Sequence, residues 1–376
     1  MGKHYHLAQL GTYDIESLGD TMFPRALEYG LGQRFEDFDV DLYSLHACEH
    51  PYNGLSPVHA LTDLKQEHGK CPYDALVIGG GEFLTFDKIK ILINGELICY
   101  PEGWLWRNTI EEAQSSGINV IINCVGMPKD IDSTQQKNLR ESLSYAKLIA
   151  VRDDFSKARL DAAGLKDAVH VVPDNLWMFS RMYDKELLNA KRNKLSEFAS
   201  VDFDEPYLVV QYGTTRDLDM LAQELKKIQR RYGLKAFLMP VNYTHDDLSY
   251  AQALNERAKG AFTILEYHMQ PLEMISVIAG ATGFIGTSFH GNLIAASYGV
   301  PFVGIDMYPD TVSKMDGLFT MLDLERFLCP REVSVASTFE EAFRTFDKEK
   351  VQRTVSTLQA RLDEHFDEMA KVITSR

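Results

Sequence analysis

The chain has 376 residues, of which 45% are hydrophobic and 25% are charged, and its formal net charge is −15 at pH 7. This length predicts two domains, and the acidic balance disfavours a nucleic acid or an anionic membrane surface as a partner, since both bind basic faces. No apolar run approaches the roughly 20 residues of a membrane span, and the N-terminal segment MGKHYHLAQL lacks the apolar core of a signal peptide.

The cysteines are few and scattered, which is typical of reduced thiols in a cytoplasmic protein. They are odd in number and contain no C-x-x-C pair: Cys48, Cys71, Cys99, Cys124 and Cys329. His46, Cys48 and His50 would share one side of an extended segment, but no second cluster completes a set of four metal ligands. We therefore expect neither a metal site nor a bound cofactor.

The first half of the chain alternates predicted strands and helices. Apolar runs predict strands at 5–10, 74–78, 118–124, 148–151 and 169–172. Amphipathic segments predict helices at 22–31, 109–116, 133–146 and 155–163. Residues 84–107 have no clear period and hold Tyr100, Trp104 and Trp106, whose rings either stack on a sugar or fill the core.

The second half resumes the alternation after a polar stretch, 180–205, which is predicted to be a linker that contains a helix. Strands are predicted at 207–212, 234–239, 261–265, 281–286 and 300–305, and helices at 217–231, 247–258, 271–279, 292–298, 316–322 and 349–373. We therefore predict an α/β protein with two Rossmann-like, doubly wound parallel-sheet domains, 1–179 and 206–345, that face a cleft. Residues 346–376 form a C-terminal helical segment in this prediction.

The strongest functional candidate is His290, in the stretch Ser288-Phe289-His290-Gly291. This stretch is predicted to be the turn between the strand 281–286 and the helix 292–298, at the strand end where open α/β sheets bind ligands. The N–H groups and dipole of such a helix N-terminus favour an anion. His290 is therefore either a catalytic residue at an anion site or a hydrogen-bonded turn residue.

Two loops after predicted strands are further candidates. The first either contacts a ligand or caps the helix 22–31 through its aspartate. The second is rich in glycine, which permits either close approach of a ligand or a tight turn. The residues in question are Ser17, Gly19 and Asp20 in the first loop and Gly79, Gly80, Gly81 and Glu82 in the second.

Two cations follow predicted strands of the second half, Arg216 after 207–212 and Lys314 after 300–305. A guanidinium pairs bidentately with a carboxylate or a phosphate. Arg216 therefore either clamps an anionic ligand or pairs with Asp217 or Asp219 at the surface. Lys314 would approach the same anion as a point charge.

Six motifs, in this order, resemble those of the polysaccharide pyruvyl transferase family over nearly the whole chain. They are G-T-Y-D…S-L-G-D at 11–20, G-G-G-E-F at 79–83, V-G-M-P at 125–128, V-R-D-D-F-S at 151–156, V-P-D at 172–174 and S-F-H-G…A-A-S-Y-G-V-P-F at 288–302. The resemblance implies a fold like that of the two-domain GT-B glycosyltransferases. One position departs from the family: many members carry arginine two residues before the motif histidine, where this chain has Ser288. If that arginine grips the donor, another cation must replace it here.

The resemblance also implies a reaction and its partners. A pyruvyl group would move from phosphoenolpyruvate, the co-substrate, to two hydroxyls of a sugar in a polysaccharide or glycan precursor, forming a cyclic ketal and releasing phosphate. Histidine fits the acid–base role because its unperturbed pKa is about 6.5. His290 is thus the expected catalytic residue. The donor would lie against Arg216, Ser288, Phe289, Gly291 and Lys314, and the acceptor against Ser17, Gly19, Asp20, Gly79, Gly80, Gly81, Glu82, Trp104 and Trp106.

Two other functions stay open. A nucleotide-sugar glycosyltransferase on the same fold needs a ribose-binding carboxylate, which Glu266 or Asp306 could supply. A non-catalytic carbohydrate-binding relative would bind glycan without turning over a donor. A Rossmann dehydrogenase is disfavoured, because neither half has a G-x-G-x-x-G turn followed by a ribose-binding acid. The acceptor sugar and the oligomeric state stay open as well.

Overall fold

The computed structural model of the chain describes residues 3–93, 96–199, 201–214, 217–307, 312–330 and 334–375. They form two compact α/β units, which confirms the predicted fold class. The first unit comprises Met1–Ile15, Phe23–Asn175 and Ala360–Arg376, and the second comprises Glu16–Met22 and Leu176–Gln359. The segment Glu16–Met22 therefore belongs to the second unit, although the residues on both sides of it belong to the first.

The first unit is built on a seven-stranded parallel sheet in the order β3-β2-β1-β4-β7-β8-β9. Its strands are β1 (Tyr5–Leu10), β2 (Phe38–Ser44), β3 (Val58–Ala60), β4 (Ala75–Ile78), β7 (Asn119–Val125), β8 (Leu148–Val151) and β9 (Val169–Val171), and an antiparallel hairpin pairs β5 (Ile89–Ile93) with β6 (Glu96–Tyr100). Its helices are α1 (Phe23–Gly32), α2 (Leu64–Lys70), α3 (Trp104–Ser116), α4 (Ser133–Leu143) and α5 (Asp154–Ala162).

The central strands of this sheet are buried on both faces, which is why they read as continuous apolar runs. All four residues of β4 are buried, as are six of the seven in β7. The strand order reverses between β1 and β4, so the loops after these two strands lie at the topological switch point, the usual ligand position of an open α/β sheet.

The second unit holds a six-stranded parallel sheet in the order β12-β11-β10-β13-β14-β15. Its strands are β10 (Tyr207–Gln211), β11 (Lys235–Leu238), β12 (Thr263–Ile264), β13 (Gly283–Gly286), β14 (Phe302–Ile305) and β15 (Leu328–Cys329). Its helices are α6 (Phe179–Met182), α7 (Lys185–Ala199), α8 (Leu218–Tyr232), α9 (Asp247–Arg257), α10 (Pro271–Ala279), α11 (Phe289–Tyr298), α12 (Lys314–Met321) and α13 (Val335–Thr345). Here the order reverses between β10 and β13, which makes the ends of these strands the switch point.

The structure corrects the sequence-based expectation in two places. Residues 84–107 are not irregular throughout, because they contain the hairpin β5–β6 and the first turn of α3. The polar stretch 180–205 does contain helix, most of α6 and all of α7, but it is part of the second unit rather than a linker.

The helix α14 (Lys348–Thr374) closes the chain and contributes to both units. Its C-terminal part packs in the first unit, where Phe366 is fully buried and His365 is nearly so. The His365 Nε2 atom lies 2.9 Å from Oδ1 of Asn123 on β7. Among the described residues, no helix combines the length and the apolar character that crossing a bilayer requires.

Burial of His365 predicts a pH dependence of stability. Burial, assisted by nearby His170, lowers the pKa of His365 from 6.5 to about 3. Because the folded state favours the neutral ring, this contribution to stability is complete above pH 6.5 and is lost as the pH falls from 6.5 towards 3, by about 1.4 kcal/mol per pH unit.

The variant His365→Gln, whose amide can still donate to Asn123, should lose this part of the acid sensitivity. Urea unfolding of both proteins between pH 7 and 4.5 measures the difference. Carboxylates titrate alike in the two proteins, so their effect cancels in the comparison. If the free energy of unfolding fell equally with pH in both proteins, His365 would not be buried in its neutral form.

Candidate functional site

The stretch around His290 is the start of a helix rather than a turn. Helix α11 begins at Phe289, three residues earlier than expected, because Ser288 caps it: the Ser288 Oγ atom accepts a hydrogen bond from the Gly291 N–H at 3.1 Å. Asn292 strengthens the cap by donating to the carbonyl oxygens of Gly286 (3.1 Å) and Ser288 (2.8 Å). His290 therefore lies in the first turn of a helix that follows β13, at the switch point of the second sheet.

The residues that flank His290 in the first turn of α11 pack against other parts of the second unit. The Phe289 side chain is buried, and its ring meets the imidazole of His290 edge to face at 5.2 Å between centroids. A Cβ atom at Gly291 would overlap the ring of Phe284 on β13, so glycine allows the helix to lie against the strand. The start of α11 therefore requires the cap at Ser288, the buried ring of Phe289 and the small size of Gly291.

The imidazole of His290 lies directly against the backbone of Gly19. A Cβ atom built at Gly19 would overlap the Nδ1 and Cε1 atoms of the ring. Two motifs that are separated by about 270 residues of chain therefore meet in the second unit. Of the predicted residues in the first loop, Ser17 and Gly19 are buried and Asp20 is half-buried.

The segment that carries Gly19 is held by the turn after β11. The Leu18 N–H donates to the Val241 carbonyl at 2.9 Å, and the Tyr243 N–H donates to the Glu16 carbonyl at 2.9 Å. Ser17 and Asn242 form an antiparallel bridge between these hydrogen bonds. The position of Gly19 is therefore set by the backbone pairing between its segment and the turn after β11.

The turn after β11 is held in turn by a buried carboxylate, that of Asp247 at the start of α9. Its Oδ2 atom accepts hydrogen bonds from the N–H groups of Val241 (3.0 Å) and Asn242 (3.1 Å) and from the side chain of Gln211 (3.1 Å). Burial raises the pKa of Asp247, although the three donors act in the opposite direction. A charged group in this environment needs all of its donors.

Gln211 carries the connection to the His290 helix. Its Oε1 atom accepts a hydrogen bond from the Thr287 hydroxyl at 3.0 Å, and the Thr287 Oγ1 atom accepts another from the Gly213 N–H at 3.2 Å. Thr287 immediately precedes the cap residue Ser288. A network of Asp247, Gln211 and Thr287 therefore braces both the Gly19 loop and the start of α11, across the strands at the switch point.

Sequence reasoning missed these three residues. The available signal was weak: Gln211 and Thr287 are polar residues at or just after the ends of apolar strands, and Asp247 stands at the start of a predicted helix. Their partnership joins residues 36 and 76 positions apart, so no local pattern reveals it.

The glycine-rich loop of the first unit is packed closely against neighbouring backbone and side chains. All three glycines have positive φ angles, 127° at Gly79, 95° at Gly80 and 73° at Gly81. A Cβ atom at Gly79 would come within 2.8 Å of the Asn123 carbonyl oxygen, and one at Gly80 would overlap the ring of Phe23. Gly79 and Gly80 are therefore required by the tight turn and its packing, whereas the predicted contact of this loop with the acceptor stays a prediction.

Glu82, the fourth residue of that loop, lies beside a buried guanidinium. The Arg152 side chain is 3% exposed, and its nitrogens lie 3.6 Å from a carboxylate oxygen of Glu82, 3.7 Å from Asp153 and 3.5 Å from Asp174. Asp153 also caps α5 by accepting from the Ser156 N–H at 2.6 Å. Glu82 therefore takes part in an ion cluster of the first unit.

The two tryptophans lie in different environments. Trp106 is 1% exposed, packs edge to face on Phe86 and donates through Nε1 to the Thr85 carbonyl at 3.0 Å. Its ring fills the core and has no exposed face for a sugar, which corrects its assignment to the acceptor. Trp104 is half-buried and stacks at a tilt on Tyr100, 4.7 Å between centroids.

Of the two predicted cations, the structure describes Lys314. Arg216 lies outside the described residues, so its predicted contact with the donor stays a prediction. Lys314 is the half-buried first residue of α12, directly after the cap residue Ser313.

A pocket opens at the carboxyl ends of β10, β14 and β15 in the second unit. Asp306, one of the two carboxylates considered for ribose binding, lines it together with apolar side chains of Met220, Leu221 and Val335. The other carboxylate, Glu266, is exposed and borders a separate hollow.

Comparison with known proteins agrees with the sequence motifs and with the fold. The family model for polysaccharide pyruvyl transferase matches residues 18–307. No curated protein matches the chain significantly. The motif histidine and the Gly19 loop both lie within the matched residues.

Solved structures of a glycosyltransferase and of UDP-GlcNAc 2-epimerases share the fold at low sequence identity. A glycosyltransferase from Rickettsia africae ESF-5 has a TM-score of 0.63 at 10% identity, covering 100% of both chains. The UDP-GlcNAc 2-epimerase from Methanocaldococcus jannaschii has a TM-score of 0.60 at 12% identity, covering 95% of this chain and 100% of that one. The enzyme of that name from Neisseria meningitidis reaches 0.58 at 11% identity, covering 98% and 94%. At these identities the likeness concerns the fold alone.

Replacing Gly19 by alanine should displace the imidazole of His290. The φ angle of Gly19 lies outside the left-handed region, so the backbone accepts alanine and only the added methyl group acts, by overlapping the ring. We expect the ring resonances of His290 to shift in a ¹H–¹³C correlation spectrum of Gly19→Ala. Gly69→Ala is the matched control, because a Cβ atom there meets nothing within 4 Å. Unchanged His290 resonances in Gly19→Ala would contradict the contact.

Proposed function

Because the chain belongs to the polysaccharide pyruvyl transferase family, we propose that it transfers a pyruvyl group from phosphoenolpyruvate to two hydroxyls of a sugar in a polysaccharide or glycan precursor. The products are a cyclic pyruvate ketal and phosphate. The observation that carries the proposal is the meeting of the family-matched motif histidine, His290, with the Gly19 loop at the switch point of the second sheet.

The chemistry requires a proton donor beside an anion site. His290 delivers a proton to the methylene carbon of phosphoenolpyruvate, which makes C2 electrophilic. One sugar hydroxyl adds to C2, and the second then displaces phosphate, each losing its proton. A histidine in the first turn of a helix suits this step, since the N–H groups and dipole of the helix N-terminus hold the donor anion beside it.

The donor anion also needs a cation, because Ser288 stands where many family members carry arginine. The Ser288 hydroxyl accepts the cap hydrogen bond and has no charge to offer. We assign the cationic role to Arg216, which can pair bidentately with a carboxylate or phosphate, and to Lys314 as a point charge.

The acceptor sugar is assigned to the Gly19 loop, where the half-buried Asp20 is the side chain best able to reach a hydroxyl. Trp104 is retained as a stacking candidate on the strength of its partial exposure, whereas Trp106 is not. All five cysteines are free thiols, which suits the reducing cytoplasm in which we place the reaction.

A nucleotide-sugar glycosyltransferase is the second candidate, because one observation favours it. Asp306 lines an apolar pocket at the strand ends, and this combination suits a base and a ribose. Thermal shift separates the two candidates: phosphoenolpyruvate should raise the unfolding temperature of a pyruvyl transferase, and UDP or GDP that of a glycosyltransferase.

The direct test is phosphate release from phosphoenolpyruvate with lipid-linked, nucleotide-linked and polymeric sugars as acceptors. The variant His290→Asn can hydrogen-bond but cannot deliver a proton at neutral pH. It should keep donor binding and lose roughly 10²–10⁴-fold in turnover, the usual range for a general acid. His170→Asn, an exposed histidine of the first unit, is the control and should retain full turnover. If His290→Asn kept its turnover, His290 would be a positioning residue and not the general acid. If the wild-type protein neither bound nor consumed phosphoenolpyruvate, the proposed function would be wrong.

A further inference from the structure

The amino ends of β1 and β2 bring together side chains that metal ions favour. The sequence reads H-x-H at 4–6 and D-x-D-x-D at 37–41, and side chains two apart on a strand share one face. The strands are parallel neighbours, with His6 opposite Asp39 and Ala8 opposite Asp41. Two imidazoles and three carboxylates therefore lie on one face of the first sheet.

The donor atoms are already within ligating reach of one another. The His6 Nε2 atom lies 3.0 Å from Asp41 Oδ2 and 3.7 Å from Asp39 Oδ2, and one ligand atom from each of the three residues fits within 4.8 Å. The other oxygen of Asp39 lies 2.8 Å from His4 Nε2. Ligands about 2.0–2.2 Å from a common ion are separated by about 3–3.5 Å, so the existing spacing needs little adjustment.

Two further contacts resemble the outer shell of a metal site. The Tyr73 hydroxyl donates to Asp41 Oδ2 at 2.7 Å and is paired with the Tyr43 hydroxyl at 2.7 Å, so a buried phenol orients that carboxylate. Asp37 Oδ1 lies 2.8 Å from His4 Nδ1, the arrangement in which a carboxylate fixes the tautomer of a metal-ligating histidine. The His6 side chain is only 10% exposed, although its Nε2 atom faces these acids.

We propose that His6, Asp39 and Asp41 bind a divalent transition-metal ion, with His4 as a neighbouring ligand oriented by Asp37. Imidazole combined with carboxylate suits zinc, cobalt or manganese rather than calcium or magnesium, which prefer oxygen alone. The ion balances the charge of its two carboxylate ligands, Asp39 and Asp41, and ties β1 to β2. This proposal departs from the sequence-based expectation of no metal site, and it is independent of the proposed reaction.

The geometry also indicates how tightly the metal ion should bind. Metal on Nε2 of His6 leaves the proton on Nδ1, which is buried and makes no hydrogen bond. Missing outer-shell partners of this kind typically cost 10–100-fold in affinity. We therefore expect micromolar rather than nanomolar binding, with stabilisation that grows with metal concentration because the unfolded chain has no such site.

The test uses the full-length protein freed of metal by a chelator. Calorimetric titration with zinc chloride should show one equivalent bound, cobalt should give a visible absorption band, and zinc should raise the unfolding temperature while magnesium does not. Asp39→Asn and His6→Asn should each weaken zinc binding at least tenfold. Since Asp39 is 56% exposed, Asp39→Asn should match the metal-free wild type in unfolding temperature, which separates lost binding from lost folding.

The matched control is His46→Asn, because His46, Cys48 and His50 are the other histidine-rich segment of this unit. Its zinc affinity should equal that of the wild type. Binding that is lost in His46→Asn but kept in Asp39→Asn would place the ion elsewhere, and absence of binding by the wild type at millimolar zinc would overturn the proposal outright.

Discussion

The candidate site depends on the hydrogen bonds that the buried carboxylate of Asp247 accepts. Burying this carboxylate costs free energy and raises its pKa, and three N–H donors offset part of that cost. Two of these donors belong to the backbone of the turn at Val241 and Asn242, and the third is Gln211. Loss of the carboxylate would leave the Val241 N–H and the Gln211 amide buried and unsatisfied, at about 1–3 kcal/mol each, and would free the part-buried Asn242 N–H. The turn and the ends of two strands are therefore ordered together.

This constraint explains how residues far apart in the chain form one site. The turn at 241–242 pairs with Ser17 and Leu18, and so presents the Gly19 backbone to the ring of His290. Through Gln211, the same network reaches Thr287 and the capped start of α11. The imidazole of His290 is thus positioned from two sides, by the Gly19 backbone and by the capped start of α11. The arrangement lies where the strand order reverses, as open α/β sheets generally place their ligands.

Much of the fold was predictable because strands buried on both faces read as apolar runs, as β4 and β10 do. The hairpin β5–β6 was missed, since a short antiparallel pair leaves no clear period. The start of α11 was misplaced because its cap depends on Asn292 reaching back to the Gly286 carbonyl, a contact that appears only on folding. Trp106 could not be assigned to core or ligand without knowing that Phe86 and the Thr85 carbonyl surround it.

Hydrogen exchange in Asp247→Ala measures the central claim most directly. If the buried carboxylate orders the site, the amides of Val241, Asn242 and Leu18 lose protection while the strand amides of β10 keep theirs. The control Asp246→Asn alters the adjacent exposed residue, which tolerates asparagine at its positive φ of 63°, and should exchange like the wild type. Wild-type protection of Leu18 and Val241 in Asp247→Ala would show that the Gly19 loop is held against His290 by something else.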